Sequence, residues 1–226
     1  FISPDQPNGI TINAHLVGDH NLKAIAAAGL IAKNLGMNDS EIASGLEMIR
    51  PTNGRMNILR GVRGSTLIDD TYNSSPNAVI EALRTLYLIE SEQRIAILGS
   101  MTELGKFSAD IHRQVGEMCD PTMLAWVITI GADAAQYLAP AARERGNQVM
   151  SFDNPISAGA FANKVLDDDG IVLAKGSQNG VYAEEALKIL LADPTEAELL
   201  VRQSDEWMTK KNAWIASLEN IGDDTD

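Results

Sequence analysis

The sequence of 226 residues has little of what several classes of protein need. Its single cysteine, Cys119, excludes a disulfide within the chain and is typical of a reducing compartment, so we predict a cytoplasmic protein. It has no apolar run long enough to cross a membrane, and no basic segment followed by an apolar one at its start. These absences predict neither membrane insertion nor export.

Basic residues are also scarce. Lys and Arg number 18 against 31 Asp and Glu, which gives a formal net charge of -13. Sequence-independent binding to nucleic acid needs cations that displace counterions from phosphates, and anionic lipid surfaces likewise attract basic segments. The composition therefore argues against both partners, and we expect a monomer that acts on small molecules.

Three common catalytic devices are missing from the sequence. No Gly-rich loop ends in Gly-Lys-Ser or Gly-Lys-Thr, so nothing in the chain holds a triphosphate alone. One cysteine and three histidines cannot supply a zinc site, and no Gly-x-Ser-x-Gly elbow occurs. We predict no metal site within the chain, and we expect His15 and His112 to be structural.

What the chain does contain, beyond residue 53, is a regular alternation of short apolar runs and helical patterns. Short apolar strands that alternate with amphipathic helices are typical of an α/β fold with a mostly parallel sheet and helices on both faces. Residues 56–60 and 65–68 flank two glycines and predict a hairpin ahead of it. The predicted parallel strands are 67–68, 95–98, 127–130, 149–152 and 171–174.

The two ends of the chain follow other patterns. Residues 9–17 alternate and predict a strand, and the Ala-rich run 20–35 predicts a buried helix. Residues 38–40 (Asn-Asp-Ser) offer a cap for a second helix, and Pro51 to Gly54 mark a domain boundary. At the other end Leu200, Trp207 and Trp214 recur at helical spacing, so we predict a long last helix that packs on the sheet.

Polar residues collect where three of the predicted strands end. These are residues 69–73 (Asp-Asp-Thr-Tyr-Asn), residues 98–105 and residues 174–180. Turn formation explains any one of these loops. Because the carboxyl ends of parallel strands meet at one edge of a sheet, all three together favour a single ligand-binding crevice.

Six short motifs resemble signatures of the Mur ligase family and occur in that family's order. Each is weak alone, but together they cover nearly the whole chain. The central motif, Asp-Asp-Thr-Tyr-Asn, is similar to that of the branch that adds D-alanyl-D-alanine. The matching segments are residues 18–21 (Gly-Asp-His-Asn), 54–56 (Gly-Arg-Met), 69–73, 98–105 (Leu-Gly-Ser-Met-Thr-Glu-Leu-Gly), 112–116 (His-Arg-Gln-Val-Gly) and 175–177 (Lys-Gly-Ser).

The resemblance implies a domain organisation. Residues 1–52 would be the end of a central α/β ATP-binding domain, and residues 53–226 the C-terminal, Rossmann-like domain. In the family, a P-loop, the metal-binding Glu and His and a carbamylated lysine precede this region. Since the chain begins with Phe1 rather than Met, we expect a fragment. The resemblance implies that this fragment is inactive alone, because one wall of the ATP site is absent, and that the Mg²⁺ ligands lie upstream.

The resemblance also implies a reaction. ATP, with Mg²⁺, would activate the carboxylate of UDP-N-acetylmuramoyl-tripeptide as an acyl phosphate. The amine of D-alanyl-D-alanine would then attack, and a tetrahedral intermediate would collapse to the amide, so that ADP and phosphate are the other products. Such an activity belongs to the synthesis of peptidoglycan for the cell wall.

Individual residues receive roles from the same resemblance. The expected catalytic residues are Arg55, Asn21 and Lys175, with Arg55 as a permanent cation for the ATP phosphates. Either Asp69 or Asp70 would accept hydrogen bonds from the ribose, and Asp70 is favoured. The other expected nucleotide-binding residues are His20, Tyr72 and Asn73, and the expected substrate-binding residues are Ser100, Glu103, Lys175 and Ser177.

The chain departs from the family pattern at four positions. Ala24, Ser75, Ser100 and Gln178 stand where Asn, Asn, Asp and Arg are usual. Our preferred interpretation is a divergent lineage with an intact activity. Two other hypotheses remain open: another amide ligase of the superfamily, of folylpolyglutamate synthase or cyanophycin type, and a non-catalytic nucleotide-binding module.

Overall fold

The computed structural model describes residues 9–222, except for the side chains of His20 and of residues 219–222. The chain forms two compact units, Phe1–Thr52 and Asn53–Asp226. The division falls within the segment that the sequence marks as a boundary. The assignment of the first unit to an ATP-binding domain stays a prediction.

The first unit contains helix α1 (Asp19–Asn34) and helix α2 (Asp39–Glu47). Helix α2 starts at the predicted cap, because the Asn38 side chain accepts the Glu41 N–H at 3.0 Å. The Glu41 carboxylate in turn accepts the Asn38 N–H at 2.9 Å, which completes a capping box. The predicted start of this helix is confirmed.

Two predictions for the first unit are wrong. Residues 9–17 form no strand, since residues 18–52 contain no other strand with which they could pair. Helix α1 is also not a buried helix: Ile25 is buried, whereas Leu22 and Ile31 are more than half exposed. Within its own unit α1 packs with α2 and with apolar residues of the segment 10–16, and these neighbours leave much of its surface exposed.

The second unit is built on a six-stranded sheet of order β1-β2-β6-β3-β4-β5. Strand β1 pairs antiparallel with β2, and all other pairs are parallel. The predicted hairpin and the five predicted parallel strands are therefore confirmed. The strands are β1 (Asn57–Arg60), β2 (Thr66–Asp70), β3 (Arg94–Gly99), β4 (Trp126–Ile130), β5 (Val149–Phe152) and β6 (Ile171–Lys175).

Helices connect the parallel strands and cover the sheet on both faces. Helices α3, α4 and α5 pack with Ile68, Leu98 and Val127 on one face, while α6 and α7 pack with Leu67 and Val172 on the other. The predicted fold class is confirmed. The helices are α3 (Pro76–Leu88), α4 (Ser108–Glu117), α5 (Ala139–Glu144), α6 (Pro155–Val165), α7 (Glu184–Leu190) and α8 (Asp205–Gly222), with short 3₁₀ turns at Val62–Gly64, Gly105–Phe107 and Pro194–Leu199 and a π turn at Ala134–Leu138.

Helix α8 differs from its prediction. Leu200 precedes the helix, so the expected stripe of Leu200 and two tryptophans on one helix does not form. Trp214 packs edge-on against Tyr182, with ring centroids 5.2 Å apart. Among the described side chains of α8 the fully buried one is Lys211, which lies against two glutamates of α7. Buried ion pairs to α7 and the Trp214–Tyr182 contact, rather than a continuous apolar stripe, attach this helix.

Candidate functional site

Three neighbouring strands of the second unit end in the three polar loops. Strand β6 lies between β2 and β3, and its chain continues to α7 on one face of the sheet. Strands β2 and β3 continue to α3 and α4 on the opposite face. The chain therefore leaves β6 toward one face of the sheet and leaves its two neighbours toward the other. Open α/β sheets bind ligands in the crevice that forms at such a point. The structure brings the three predicted loops together at this crevice.

Asp69 is wholly buried and bonded to the backbone around it. One carboxylate oxygen accepts the Gly54 N–H at 3.0 Å, and the other accepts the Thr71 hydroxyl at 2.6 Å. Burial raises the pKa of Asp69 from 3.8 to about 6, against the lowering effect of these hydrogen bonds. The carboxylate thus holds Gly54 close to the end of β2.

Asp70 forms a buried ion pair with Lys175 across the β2–β6 pairing. The Lys175 Nζ lies 2.6 Å from Asp70 Oδ2, and it also donates to the Asn73 carbonyl at 3.0 Å. The other Asp70 oxygen accepts the Met56 N–H at 3.2 Å. Burial lowers the pKa of Lys175, and the attraction of Asp70 opposes that shift. This pair joins the loop after β2 to the end of β6.

Arg55 and Tyr72 form an exposed pair at the edge of the crevice. The Arg55 guanidinium lies 4.3 Å from the centroid of the Tyr72 ring, a cation–π contact. The Tyr72 N–H donates to the Gly54 carbonyl at 3.0 Å. Gly54 has a positive φ of 71°, and a Cβ there would lie 2.9 Å from the Tyr72 nitrogen. Glycine is therefore required for this close approach of two backbones.

The residues that flank Arg55 explain its orientation. Gly54 is held by Asp69, and Met56 is held by Asp70. The backbone is thus fixed on both sides of the arginine, while its side chain stays exposed. A permanent cation beside an aromatic face is suited to a polyphosphate attached to a nucleoside.

The expected substrate residues lie on the loops after β3 and β6. Ser177 is fully buried, and its Oγ accepts the Thr102 N–H at 3.0 Å, which joins the two loops. Ser100 is half-buried, and its Oγ accepts the Ala134 N–H at 3.0 Å. Glu103 and Asn73 are exposed. The substrate roles of these residues stay predictions.

Two expected nucleotide residues belong to the first unit. Asn21 lies in the first turn of α1, and its side-chain amide donates to the Val17 carbonyl at 2.7 Å. The side chain of His20 lies outside the described residues. The contact of either residue with a nucleotide therefore stays a prediction.

Two residues of the crevice were missed by sequence reasoning or given no part in it. His112 is buried; its Nε2 accepts the Met101 N–H at 2.9 Å, and its Nδ1 donates to the Ser108 carbonyl at 2.8 Å. Arg202 donates to the carbonyls of Thr71 and Tyr72. No local pattern marks Arg202, which lies 130 positions from Tyr72 in the sequence.

Residues 9–222 contain neither a metal-binding cluster nor a membrane-spanning helix. No group of three or more His, Cys, Asp or Glu in that range could hold a metal ion. No helix among the same residues is long and apolar enough to cross a membrane.

Comparison with known proteins supplies the family. A family model described as "Mur ligase, glutamate ligase domain" matches residues 54–178, which is more than half of the chain. The chain belongs to the Mur ligase family. The matched segment begins at the Gly54 turn and ends just after Ser177, so it contains the first two crevice loops and most of the third. The predicted family and the Rossmann-like fold of the Mur ligase C-terminal domain are confirmed.

Curated Mur ligases resemble the chain over much of its length. UDP-N-acetylmuramoyl-tripeptide–D-alanyl-D-alanine ligase from Haemophilus influenzae is 33% identical over 130 residues, which cover 57% of this chain and 28% of the relative. The ligase of the same name from Synechocystis is 28% identical over 195 residues, which cover 83% of this chain and 41% of the relative. The chain thus spans less than half the length of these Mur ligases.

Solved structures show the same fold. The MurF ligase from Thermotoga maritima in complex with ADP superimposes with a TM-score of 0.66 at 23% identity. The alignment covers 84% of this chain and 41% of that Mur ligase. A second MurF structure, from Acinetobacter baumannii, gives a TM-score of 0.68 at 24% identity, and covers 78% of this chain and 38% of its own. Arg202 lies beyond the segment that the family model matches.

Proposed function

We propose that the chain is the C-terminal part of an ATP-dependent amide ligase that adds D-alanyl-D-alanine to UDP-N-acetylmuramoyl-tripeptide through an acyl phosphate. Relatives that carry this name are 33% and 28% identical to the chain over 130 and 195 residues. The chain spans less than half of those relatives, so the activity is proposed for the longer protein. The Asp-Asp-Thr-Tyr-Asn segment of this branch forms the end of β2.

The observation that carries the proposal is the exposed Arg55–Tyr72 pair at the carboxyl edge of the sheet. Asp69, Asp70 and Lys175 are buried and bonded to one another or to the backbone nearby. Of these five side chains, those of Arg55 and Tyr72 are exposed and therefore accessible to a ligand. In this role Arg55 would bind ATP phosphates, where its charge stabilises the charge that develops during transfer.

The two aspartates differ in their suitability for the ribose. Asp69 is 0% exposed and Asp70 is 6% exposed. Each Asp70 oxygen accepts one hydrogen bond from the protein, and a carboxylate has about four acceptor positions in all. Asp70 would therefore still accept a ribose hydroxyl, with Tyr72 and Asn73 beside it. Asp69 would hold the Gly54 turn in place.

The other two loops would serve the second half of the reaction. Glu103 is exposed on the loop after β3 and would contact the tripeptide or the incoming dipeptide. Lys175 and Ser177 are buried at the end of β6 and would form the floor of the same subsite. Ser100 supports the same loop through the start of the turn after β4. His20 and Asn21 of the first unit keep their expected roles in nucleotide binding.

Magnesium is expected with ATP, but residues 9–222 contain no cluster that fits a metal ion. We therefore assign no metal ligand among these residues. The Mg²⁺ that accompanies ATP would bind to the part of the longer protein that precedes Gly18.

Phosphate release by the full-length protein tests the proposed function. The assay contains ATP, Mg²⁺ and UDP-N-acetylmuramoyl-tripeptide, with and without D-alanyl-D-alanine. Release that requires the dipeptide is the expected result. Release with another amine only would keep the ligase class and reject this substrate, and no release with any amine from folded protein would favour a non-catalytic nucleotide-binding module.

A further inference from the structure

We propose that Arg202 is a positioning residue for the nucleotide end of the crevice. It holds the backbone of Thr71 and Tyr72 in the conformation that stacks the Tyr72 ring against Arg55. The inference deepens the proposed function and rests on it. It adds to the site a residue that lies beyond the matched family segment.

The guanidinium of Arg202 donates hydrogen bonds to the loop after β2 and to Glu184 at the same time. Its Nη2 donates to the Thr71 carbonyl at 2.7 Å, and its Nη1 donates to the Tyr72 carbonyl at 3.0 Å. Its Nε and Nη2 donate to the two carboxylate oxygens of Glu184 at 2.8 and 2.7 Å. The planar fork of arginine makes such a two-sided bridge, which the point charge of lysine cannot reproduce.

The anchor of this bridge is rigid and buried. Glu184 is 0% exposed and starts α7, which packs on the sheet. Lys211 of α8 lies 3.6 Å from Glu184 and forms a second ion pair with Glu185. Burial raises the pKa of Glu185, but the hydrogen bond and charge of Lys211 outweigh it and keep that pKa below its ordinary value. Arg202 therefore connects the site loop to a fixed network.

The neighbour of Arg202 supports the other half of the stack. Val201 lies so close to Gly54 that a Cβ on the glycine would be 2.6 Å from Val201 Cγ1. Arg202 itself has a positive φ of 57°, and its side chain reaches the loop after β2. Two consecutive residues thus support Gly54, beside Arg55, and the backbone of Tyr72.

If Arg202 only stabilised the fold through an ion pair, bonds to Glu184 would be sufficient. Arg202 instead directs two of its donors to successive carbonyls of the loop that carries Tyr72. Loss of these bonds frees that loop while β2 keeps its pairing with β1 and β6. Loss of the Arg202 side chain is therefore expected to weaken nucleotide binding and to leave the binding of the other substrates unchanged.

Steady-state kinetics of the full-length protein test the role. Arg202→Met should raise the KM for ATP roughly tenfold, because small displacements of positioned groups have effects of this size or larger. The KM values for the muramoyl tripeptide and the dipeptide should stay unchanged, and Arg202→Lys should recover part of the ATP affinity. Arg84→Met is the matched control, since Arg84 makes an exposed ion pair on α3. Equal increases in all three KM values would contradict positioning.

A double-mutant cycle asks whether Arg202 acts through Tyr72. In the Tyr72→Ala background, Arg202→Met should raise the KM for ATP no further, since the positioned ring is already absent. The same roughly tenfold rise in both backgrounds would show that Arg202 acts by another route and would overturn the inference.

Hydrogen exchange in the 226-residue chain separates this inference from the proposed function. The Tyr72 N–H donates to the Gly54 carbonyl, so its exchange should quicken by roughly tenfold in Arg202→Met while amides of α4 keep their protection. Unchanged exchange at Tyr72 would reject positioning even if the ligase activity is real. Suppose that exchange at Tyr72 is faster in the variant, but the full-length protein neither binds ATP nor releases phosphate. The proposed ligase function would then be rejected, while the contact of Arg202 with the loop after β2 would be supported. Should Arg202→Met fail to fold, Arg202→Lys takes its place in each assay.

Discussion

Asp69 and Asp70 are adjacent on one strand, yet they have different partners. Successive side chains of a strand point to opposite sides. Asp69 accepts from Gly54 and Thr71, whereas Asp70 accepts from Met56 and binds the Lys175 ammonium. One carboxylate is therefore surrounded by neutral donors and the other is paired with a cation.

This difference predicts a pH dependence for Asp69. Its folded pKa of about 6 lies above the ordinary 3.8, so the folded state binds more protons than the unfolded chain between these values. The contribution of Asp69 to the free energy of unfolding is then largest in acid and falls as the pH rises through this window. The fall amounts to about 3 kcal/mol.

Urea unfolding of wild type and Asp69→Asn at several pH values measures this effect. The difference in unfolding free energy, wild type minus variant, should fall by about 2 kcal/mol from pH 4 to 7, because the variant lacks the titrating group and the unfolded chain is already partly ionised at pH 4. Asp153→Asn, which removes an exposed carboxylate after β5, controls for the change in net charge. A difference that does not vary with pH would contradict the raised pKa.

The buried Asp70–Lys175 ion pair predicts that substitutions of its two residues have non-additive effects on the free energy of unfolding. Either Asp70→Asn or Lys175→Met should lower the free energy of unfolding by about 3–5 kcal/mol, because each leaves a buried charge without its partner. The double variant should lose clearly less than the two single losses combined. Additive losses in urea unfolding would contradict the pairing, and the exposed Glu81–Arg84 pair offers a control with a coupling of about 0–1 kcal/mol.

Among the helices, the contact between α6 and α7 depends on a glycine. A Cβ on Gly159 would lie 2.6 Å from the Ala186 carbonyl oxygen and 2.8 Å from its Cα. Backbone atoms cannot move aside as a flexible side chain can. The packing of α7 matters for the crevice because α7 carries Glu184, the anchor of Arg202.

Gly159→Ala should therefore lower the free energy of unfolding by about 1–3 kcal/mol through overpacking. Gly45→Ala is the matched control: that glycine lies inside α2 with nothing within 4 Å of the added Cβ. It should raise the free energy of unfolding by up to about 1 kcal/mol, since alanine is the better helix former. Equal effects of the two substitutions in thermal unfolding would show that the α6–α7 contact is not tight.

In the molecule as a whole, the position of β6 creates the crevice. This strand comes last in the sequence but pairs between β2 and β3. The pairing brings Lys175 to Asp70 across 105 positions, and Ser177 to Thr102 across 75. Three loops that are distant in sequence therefore share one edge.

The 226-residue sequence also lacks a phosphate-binding loop, which the proposed reaction needs. No Gly-Lys-Ser or Gly-Lys-Thr loop is present to hold a triphosphate. The purified 226-residue chain should therefore release no phosphate from ATP, even with Mg²⁺, the muramoyl tripeptide and D-alanyl-D-alanine. Sustained release that Arg55→Met abolishes would contradict this expectation, and the full-length protein serves as the positive control.

Local pattern was sufficient for much of the fold. Apolar runs bounded by polar residues predicted the five parallel strands and the hairpin, and Asn38 predicted the start of α2 through its capping chemistry. The same reasoning failed for residues 9–17 and for α1, because alternation and alanine content say nothing about which neighbour covers a segment.

The sequence alone was enough to place the polar loops at strand ends and to connect them to one family, since both depend on residues that are close together along the chain. The partners of those residues depend on folding. Burial turned Asp70 and Lys175 into an ion pair, and the approach of α7 gave Arg202 an anchor 18 positions away. Burial and long-range pairing arise when distant segments pack together, and no local pattern encodes them.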